Sequence, residues 1–271
     1  TQWRGFLRTK KKGIVLEDDS LPQPDFFPYC DELLDRFRHD PRVFQISGVD
    51  HSKGLAGSRS SYYFSHHQHI WGFATWRRSW EGFSKLFNSP SEEEIMDSID
   101  KLEVESSRMR KIWRKRVFAE ISGADDNWDS RWNLHAKSKK QLCVVPSHSL
   151  VQNVGYGTGG LHTRRYPLIA GRPPITSEFS FPLIHRDELK PDPRIDLYVS
   201  RVQWSNQPAL IKLLLSGLEL ARRILASLTG GKTDKASQSG DDQAYLTIAE
   251  RFWRAQSGIP TASPEVLRFE S

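Results

Sequence analysis

Glu17, Asp18 and Asp19 follow directly on the short apolar run Ile14-Val15-Leu16. Three adjacent carboxylates repel one another and resist desolvation unless a cation or a hydrogen-bond network compensates. Two readings fit: a solvated turn that caps a helix, or a divalent-cation site at the carboxyl end of a strand, where open α/β sheets bind ligands. Carboxylate oxygens suit hard cations, and a diphosphate supplies further oxygens to the same ion.

A second pair, Asp126 and Asp129, lies in "DDNWDSRW" (Asp125 to Trp132). The spacing of three puts both at a helix N-terminus or on one helical face, where a carboxylate caps and meets the dipole favourably. Asp129 stands between Trp128 and Trp132, and an apolar wall raises a carboxyl's pKa toward the range of a general base. "GYGTGGLHT" (Gly155 to Thr163) is a glycine-rich loop leading to His162, which can ligate a metal through neutral imidazole. "HIWGFATWRRSW" (His69 to Trp80) offers Gly72 for close backbone approach and flat rings for a sugar or base. Its Arg77 and Arg78 can hold a phosphate or carboxylate; alternatively Trp71 and Trp76 are core and the arginines solvated.

The elements that must position these residues follow from periodicity. A strand ends at Leu16, and Phe26, Cys30, Leu33, Leu34 and Phe37 fall at helical spacing, with Asp25 as N-cap and Pro41 as stop. "VFQISG" (Val43 to Gly48) is the next strand, so the order reads as a βαβ unit with a parallel sheet. A polar loop spans Val49 to Ser61. Ser89 to Ile121 reads as mostly helical, acidic first and basic later, and Asn127 to Lys140 as a helix capped near Asp126 or Asn127. "LCVVP" (Leu142 to Pro146) is a strand. From Pro167 the chain is proline-punctuated and expected to wind over the surface. Residues 209–228 form an amphipathic helix, 229–243 a flexible linker, and 244–271 the start of a further element.

The chain of 271 residues is long enough for a substantial core, and its mean hydropathy of -0.58 suits a soluble protein. A net charge of +6 permits an anionic partner without requiring nucleic acid, and the basic run Arg108 to Arg116 reads as a solvated helix face. Cys30 and Cys143 give neither a disulfide framework nor metal-ligand spacing. No apolar stretch is long enough for a membrane span, leaving peripheral contact through 209–228 as the membrane option.

Taken in order, "LEDDSLPQPDFF", "YYFSHHQHIWGFATWRRSW", "DNWDSRW" and "VPSHSLVQNVGYGTGGLHT" resemble bacterial GT-A-fold glycosyltransferases that use nucleotide-sugar donors. The resemblance covers about Lys11 to Ile184. A more distant similarity is to the N-acetylglucosaminyltransferase that initiates complex N-glycans. The resemblance implies an α/β, GT-A-like (Rossmann-like) mixed sheet flanked by helices. It makes residues 1–200 a partial catalytic domain with 201–228 as a helical extension. The N-terminal nucleotide-binding half is expected to be missing, since only sixteen residues precede Glu17.

The implied activity is inverting, metal-dependent sugar transfer to an acceptor hydroxyl of a glycan or polypeptide, in glycan or surface-polysaccharide synthesis. Asp19 would bind Mn2+ or Mg2+, with Glu17 and Asp18 holding ribose and metal-bound water. Asp129 would be the base, with Asp126 its alternative, and His162 would approach the metal from the far side. Trp71, Gly72, Arg77 and Arg78 would shape the donor and acceptor pocket. A cytoplasmic location at the inner membrane face goes with that activity. The rivals are a non-catalytic remnant, and a metal-dependent hydrolase drawing on "SHHQHI" (Ser65 to Ile70).

Overall fold

The structure, a computed structural model, describes residues 10–57, 59–87, 91–104, 106–125, 127–154 and 179–203. Strand β1 (Lys12–Val15) and the short β2 (Ser20–Pro22) flank the acidic triplet, and helix α1 (Phe26–Arg36) follows. Then come β3 (Val43–Ser47), β4 (Tyr62–Ser65), β5 (Phe73–Trp76) and α2 (Arg77–Phe87). Helices α3 (Glu92–Asp100), α4 (Ser107–Ile121) and α5 (Asp129–Ser138) lead to β6 (Leu142–Pro146), β7 (Val151–Asn153) and α6 (Pro193–Gln203).

Five strands form one sheet in the order β1-β5-β3-β6-β4, and β2 pairs with β7 in a separate ribbon. The fold is therefore α/β with a mixed sheet flanked by helices. Strands β1, β3 and β6 run parallel, with β5 and β4 antiparallel to them. The β1-α1-β3 unit differs from the simple reading because β5 inserts between its two strands. Local periodicity fixes strand identity, whereas a later strand decides adjacency.

The period-2 alternation divides the core in two. Ala74, Trp76, Tyr62, Phe64, Leu142 and Val144 face α1, meeting Phe26, Tyr29, Cys30, Leu33 and Leu34. On the opposite face Val15, Phe44 and Phe73 meet Trp80, Phe83, Trp128, Trp132 and Ala136, while Tyr63, Cys143 and Val145 meet Ile195, Tyr198 and Val199 of α6. A register shift between Val43 and Gln45 lets Val43 and Ile46, an odd number of residues apart, serve the same face while Phe44 serves the other.

Several helix boundaries depart from the sequence reading. The mostly helical stretch from Ser89 to Ile121 is divided into two helices. Ser91 and Glu94 make a reciprocal capping box that starts α3, and the Ser106 hydroxyl accepts from Met109 N–H to start α4. The basic run on α4 turns Met109, Trp113 and Val117 inward, and Arg114 pairs with Asp100. Asp25 stands before α1 but makes no side-chain cap; its Oδ2 accepts from Phe179 N–H at 3.1 Å. Helix α6 replaces part of the expected surface winding, with Ser65 Oγ donating to Asp196 Oδ1 at 2.6 Å.

The carboxyl ends of β1 and β3 are bound by two glycines. Gly48 N–H donates to the Gly72 carbonyl at 2.8 Å, and the Gly48 carbonyl accepts from Leu150 and Val151 N–H. Gly72 has φ +67°, in the left-handed region that glycine enters freely. A Cβ at Gly48 would meet Val151, lie 2.7 Å from the Phe26 ring and 3.0 Å from the Gly72 oxygen. Gly48→Ala is expected to destabilise by about 1–3 kcal/mol, the usual range for overpacking. Urea unfolding monitored by circular dichroism measures it, and an unchanged midpoint would refute the close approach.

Candidate functional site

The acidic triplet occupies a turn at the carboxyl end of β1. The Glu17 carbonyl accepts from Ser20 N–H at 3.0 Å, and the Asp19 carbonyl from Val154 N–H at 2.7 Å, so the turn is tied to β7. Asp18 is exposed, while Glu17 and Asp19 are half-buried. Asn153 Nδ2 donates to Asp19 Oδ2 at 3.0 Å, and Asp19 Oδ1 is buried with no protein hydrogen bond. A buried carboxylate oxygen left in that state suits a cation or a polar ligand. The strand ends in like charges because the chain turns out of the sheet there, shares one oxygen with Asn153, and leaves another available.

Asp129 reaches the same region from the opposite side of the sequence. It is the first residue of α5, and α5 rests on the sheet through Trp132, whose Nε1 donates to Gln45 Oε1 at 2.6 Å. Trp128, the residue before the helix, packs on Phe73 and Trp132 and donates its indole N–H to Glu17. Glu17 senses the charges of Asp19, Asp129 and Asp18, in that order of strength. The two acidic segments, 110 residues apart, thus converge around one indole.

Burial is the main cause that pushes the Glu17 carboxyl up to about 7, with the three neighbouring carboxylates adding to it. Burial also pushes Asp129 up to about 6; Glu120 beside it adds to the rise and Arg116 opposes it. A carboxyl that changes protonation near pH 6 in a half-buried, tryptophan-walled position suits a general base.

Glu120 is the member that sequence reading missed. It is buried near the end of α4. Its Oε1 accepts from Ser130 N–H at 2.8 Å and its Oε2 from Arg131 N–H at 3.1 Å and Arg131 Nε at 3.2 Å. Helix α5 has no N-cap side chain of its own, since Trp128 occupies that position. The helix starts one residue later than a cap at Asn127 would place it, and a carboxylate from the preceding helix meets the Ser130 and Arg131 N–H groups and the dipole together. No local signal marks it, because its partners lie beyond a loop.

Other predicted residues fall differently. Gly72 abuts Leu16 and Val151, beside the acidic turn, and partly buried Trp71 packs its ring 5.0 Å from His51. The structure does not bring Arg77 and Arg78 to this end. They follow Trp76, which pairs with Lys12 at the start of β1, so β5 carries them to the opposite end of the strands. Arg78 Nη2 donates to the carbonyls of Phe37, Asp40 and Val43, and its guanidinium stacks on Trp76. Arg77 Nε donates to the Lys10 carbonyl. Their chemistry is structural because the carbonyls at that end of β3 need donors.

In "SHHQHI" the His67 ring pairs with the Asp196 carbonyl, and His67 and His69 are buried with α5 and α6 packed nearby. Asp126, His162 and residues 209–271 lie outside the described residues. Among the described residues, no group of three or more His, Cys, Asp or Glu side chains is arranged to hold a metal, and no helix is long and apolar enough to cross a membrane. The carboxylates present fit a cation that takes most of its ligands from substrate and water, as Mg2+ does, rather than an all-protein cage. No protein-family model matches the chain, and no curated protein matches it in sequence.

Proposed function

We propose that the chain is a GT-A-like glycosyltransferase, which moves a sugar from a nucleotide diphosphate to a hydroxyl with inversion. One observation carries this reading. Asp19 and Glu17, at the end of β1, share a site with Asp129, at the start of α5, through the Trp128 indole. Sugar transfer needs these two functions, and it needs them on opposite sides of the reacting carbon.

Asp129 accepts the proton of the acceptor hydroxyl as that oxygen attacks the anomeric carbon. The positive charge that develops there resembles the oxocarbenium state of glycoside hydrolysis. A single carboxylate base opposite the leaving group gives displacement with inversion. Asp19 and Glu17 would hold Mn2+ or Mg2+, whose contribution is to neutralise the departing diphosphate without proton transfer. Gly72 keeps the backbone low beside the acidic turn, and Trp71 supplies a flat ring next to it. Glycan or surface-polysaccharide synthesis in the cytoplasm, with residues 209–228 at the inner membrane face, fits such an enzyme.

Calorimetric titration of UDP and GDP, each with and without Mn2+, tests the reading on this chain and on Asp19→Ala. Cation-dependent nucleotide binding is expected, weakened at least tenfold by Asp19→Ala. Absence of nucleotide binding under every condition would sink the claim that this chain is a working transferase.

A further inference from the structure

We propose that Glu120 is a positioning residue: its two carboxylate oxygens clamp the first turn of α5 and so fix Asp129 against the acidic turn that follows β1. The proposal rests on the reading of Asp129 as the base, but its geometry stands apart from any sugar chemistry.

Three features single Glu120 out. First, it is buried although it is a charged residue, and such burial needs specific compensation. Second, the compensation is directed at one place. Ser130 N–H, Arg131 N–H and Arg131 Nε all donate to it, so two backbone donors of one helical turn converge on a single side chain. Those are orphan donors that a helix ordinarily offers to its own N-cap. Third, the clamp joins two elements across the loop between α4 and α5, and the clamped turn is the one that begins with Asp129. A local Ser or Asp cap would satisfy the helix without tying it to α4.

Charged groups act on Asp129 from two described elements. From α4 come Glu120 and Arg116, the latter one turn earlier on the same helix; from the β1–β2 turn comes Glu17. On α5 itself Arg131 is engaged by Glu120 at 3.2 Å. Glu120 therefore does two things at once. It draws α5 into place through the backbone, and it sets a negative charge beside Asp129 that favours the protonated carboxyl.

A purely structural cap would do only the first. The two roles separate in Glu120→Gln, which keeps an acceptor oxygen and nearly the same volume but removes the charge. In the apo protein, carboxyl carbon NMR is expected to show the Asp129 titration moving down by at least half a pH unit in Glu120→Gln. Amide exchange at Ser130 and Arg131 is expected to quicken at least tenfold in Glu120→Ala relative to the strands. Glu120→Asp, which retains charge on a shorter arm, is expected to keep the Asp129 titration within half a unit of the unsubstituted chain.

An Asp129 titration unmoved in Glu120→Gln, with exchange at Ser130 and Arg131 also unmoved in Glu120→Ala, would overturn the proposal. If Glu120→Ala does not fold, the Gln and Asp variants still decide it. These readouts need no sugar donor, so they stand even where no transfer is detected. Where transfer is measured, Glu120→Gln is expected to lower kcat with KM little changed and to move the acidic limb of the pH–rate profile downward.

Discussion

Replacing Asp129 by Asn is expected to lower the proposed sugar transfer by about 10²–10⁴-fold while making the folded chain more stable at neutral pH. Both effects come from one cause. A positioned general base contributes about 10²–10⁴-fold to a rate, and an amide cannot accept the proton. The stability change follows from linkage. Asp129 titrates at about 6 in the folded chain, above the unfolded carboxylate value of about 3.9. Between those values the folded state keeps a proton that the unfolded state has lost. Stability from that proton is therefore complete below about pH 4 and is lost as pH rises through about 6.

Asn mimics the protonated carboxyl and does not suffer this loss. A shift of two units corresponds to roughly 3 kcal/mol, but Asp129 is only half-buried, so solvent screening reduces the gain to on the order of 1–2 kcal/mol. Thermal unfolding at pH 4 and pH 7.5 separates the outcomes. The variant should melt higher at pH 7.5 and converge with the parent at pH 4. An equal difference at both would mean that Asp129 does not hold its proton. Full transfer activity in the variant would remove Asp129 from the mechanism.

Much of this site was legible because its signals are local. The run Ile14-Val15-Leu16 predicts a strand, and the triplet after it predicts a turn at a strand end; β1 and the turn through Ser20 are both found. Asp129 flanked by tryptophans predicts a raised carboxyl, and burial does raise it. The helical spacing from Phe26 to Phe37 predicts α1. The remainder depends on pairings far apart in sequence. Nothing in "FATW" shows that β5 inserts between β1 and β3, because adjacency is fixed by packing of the whole sheet.

Arginine next to arginine after an aromatic strand reads as an anion clamp or a solvated face, and its role as a carbonyl clamp has no local signal. Only the position of Phe37, Asp40 and Val43 decides for Arg78. Glu120 was invisible for the same reason. A cap in trans leaves no motif, since donor and acceptor belong to different helices. The tryptophans show the limit in reverse: Trp128 and Trp132 look equivalent on either side of Asp129, yet one serves Glu17 and the other the sheet.

Trp132→Ala is accordingly expected to be the most destabilising single substitution of those considered, and to damage the site from beneath. Trp132 is fully buried and touches four aromatic rings: Phe44 at 4.4 Å, Phe83 at 5.1 Å, Phe73 at 5.8 Å and Trp128 at 5.9 Å between centroids. Truncating a buried Trp or Phe to Ala costs about 3–5 kcal/mol through lost transfer energy and the cavity that remains. The change also strands Gln45 Oε1, which accepts from the indole, while Gln45 Nε2 stays on the His69 carbonyl at 2.7 Å. An orphaned buried acceptor adds about 1–3 kcal/mol.

Trp132→Phe separates these contributions, because it keeps most of the ring contact and removes only the donor. Urea unfolding followed by far-ultraviolet circular dichroism should therefore rank parent, Phe and Ala in falling stability, with Ala lower than the parent by at least 3 kcal/mol. Since Asp129 and Trp128 sit within one turn of Trp132, the Ala variant should also release the Glu17–Trp128 hydrogen bond before global unfolding. Amide exchange in the first turn of α5 would then quicken ahead of β3 and β6. A loss below 1 kcal/mol would show that α5 does not rest on the sheet through this indole, and the placement of Asp129 would need another support.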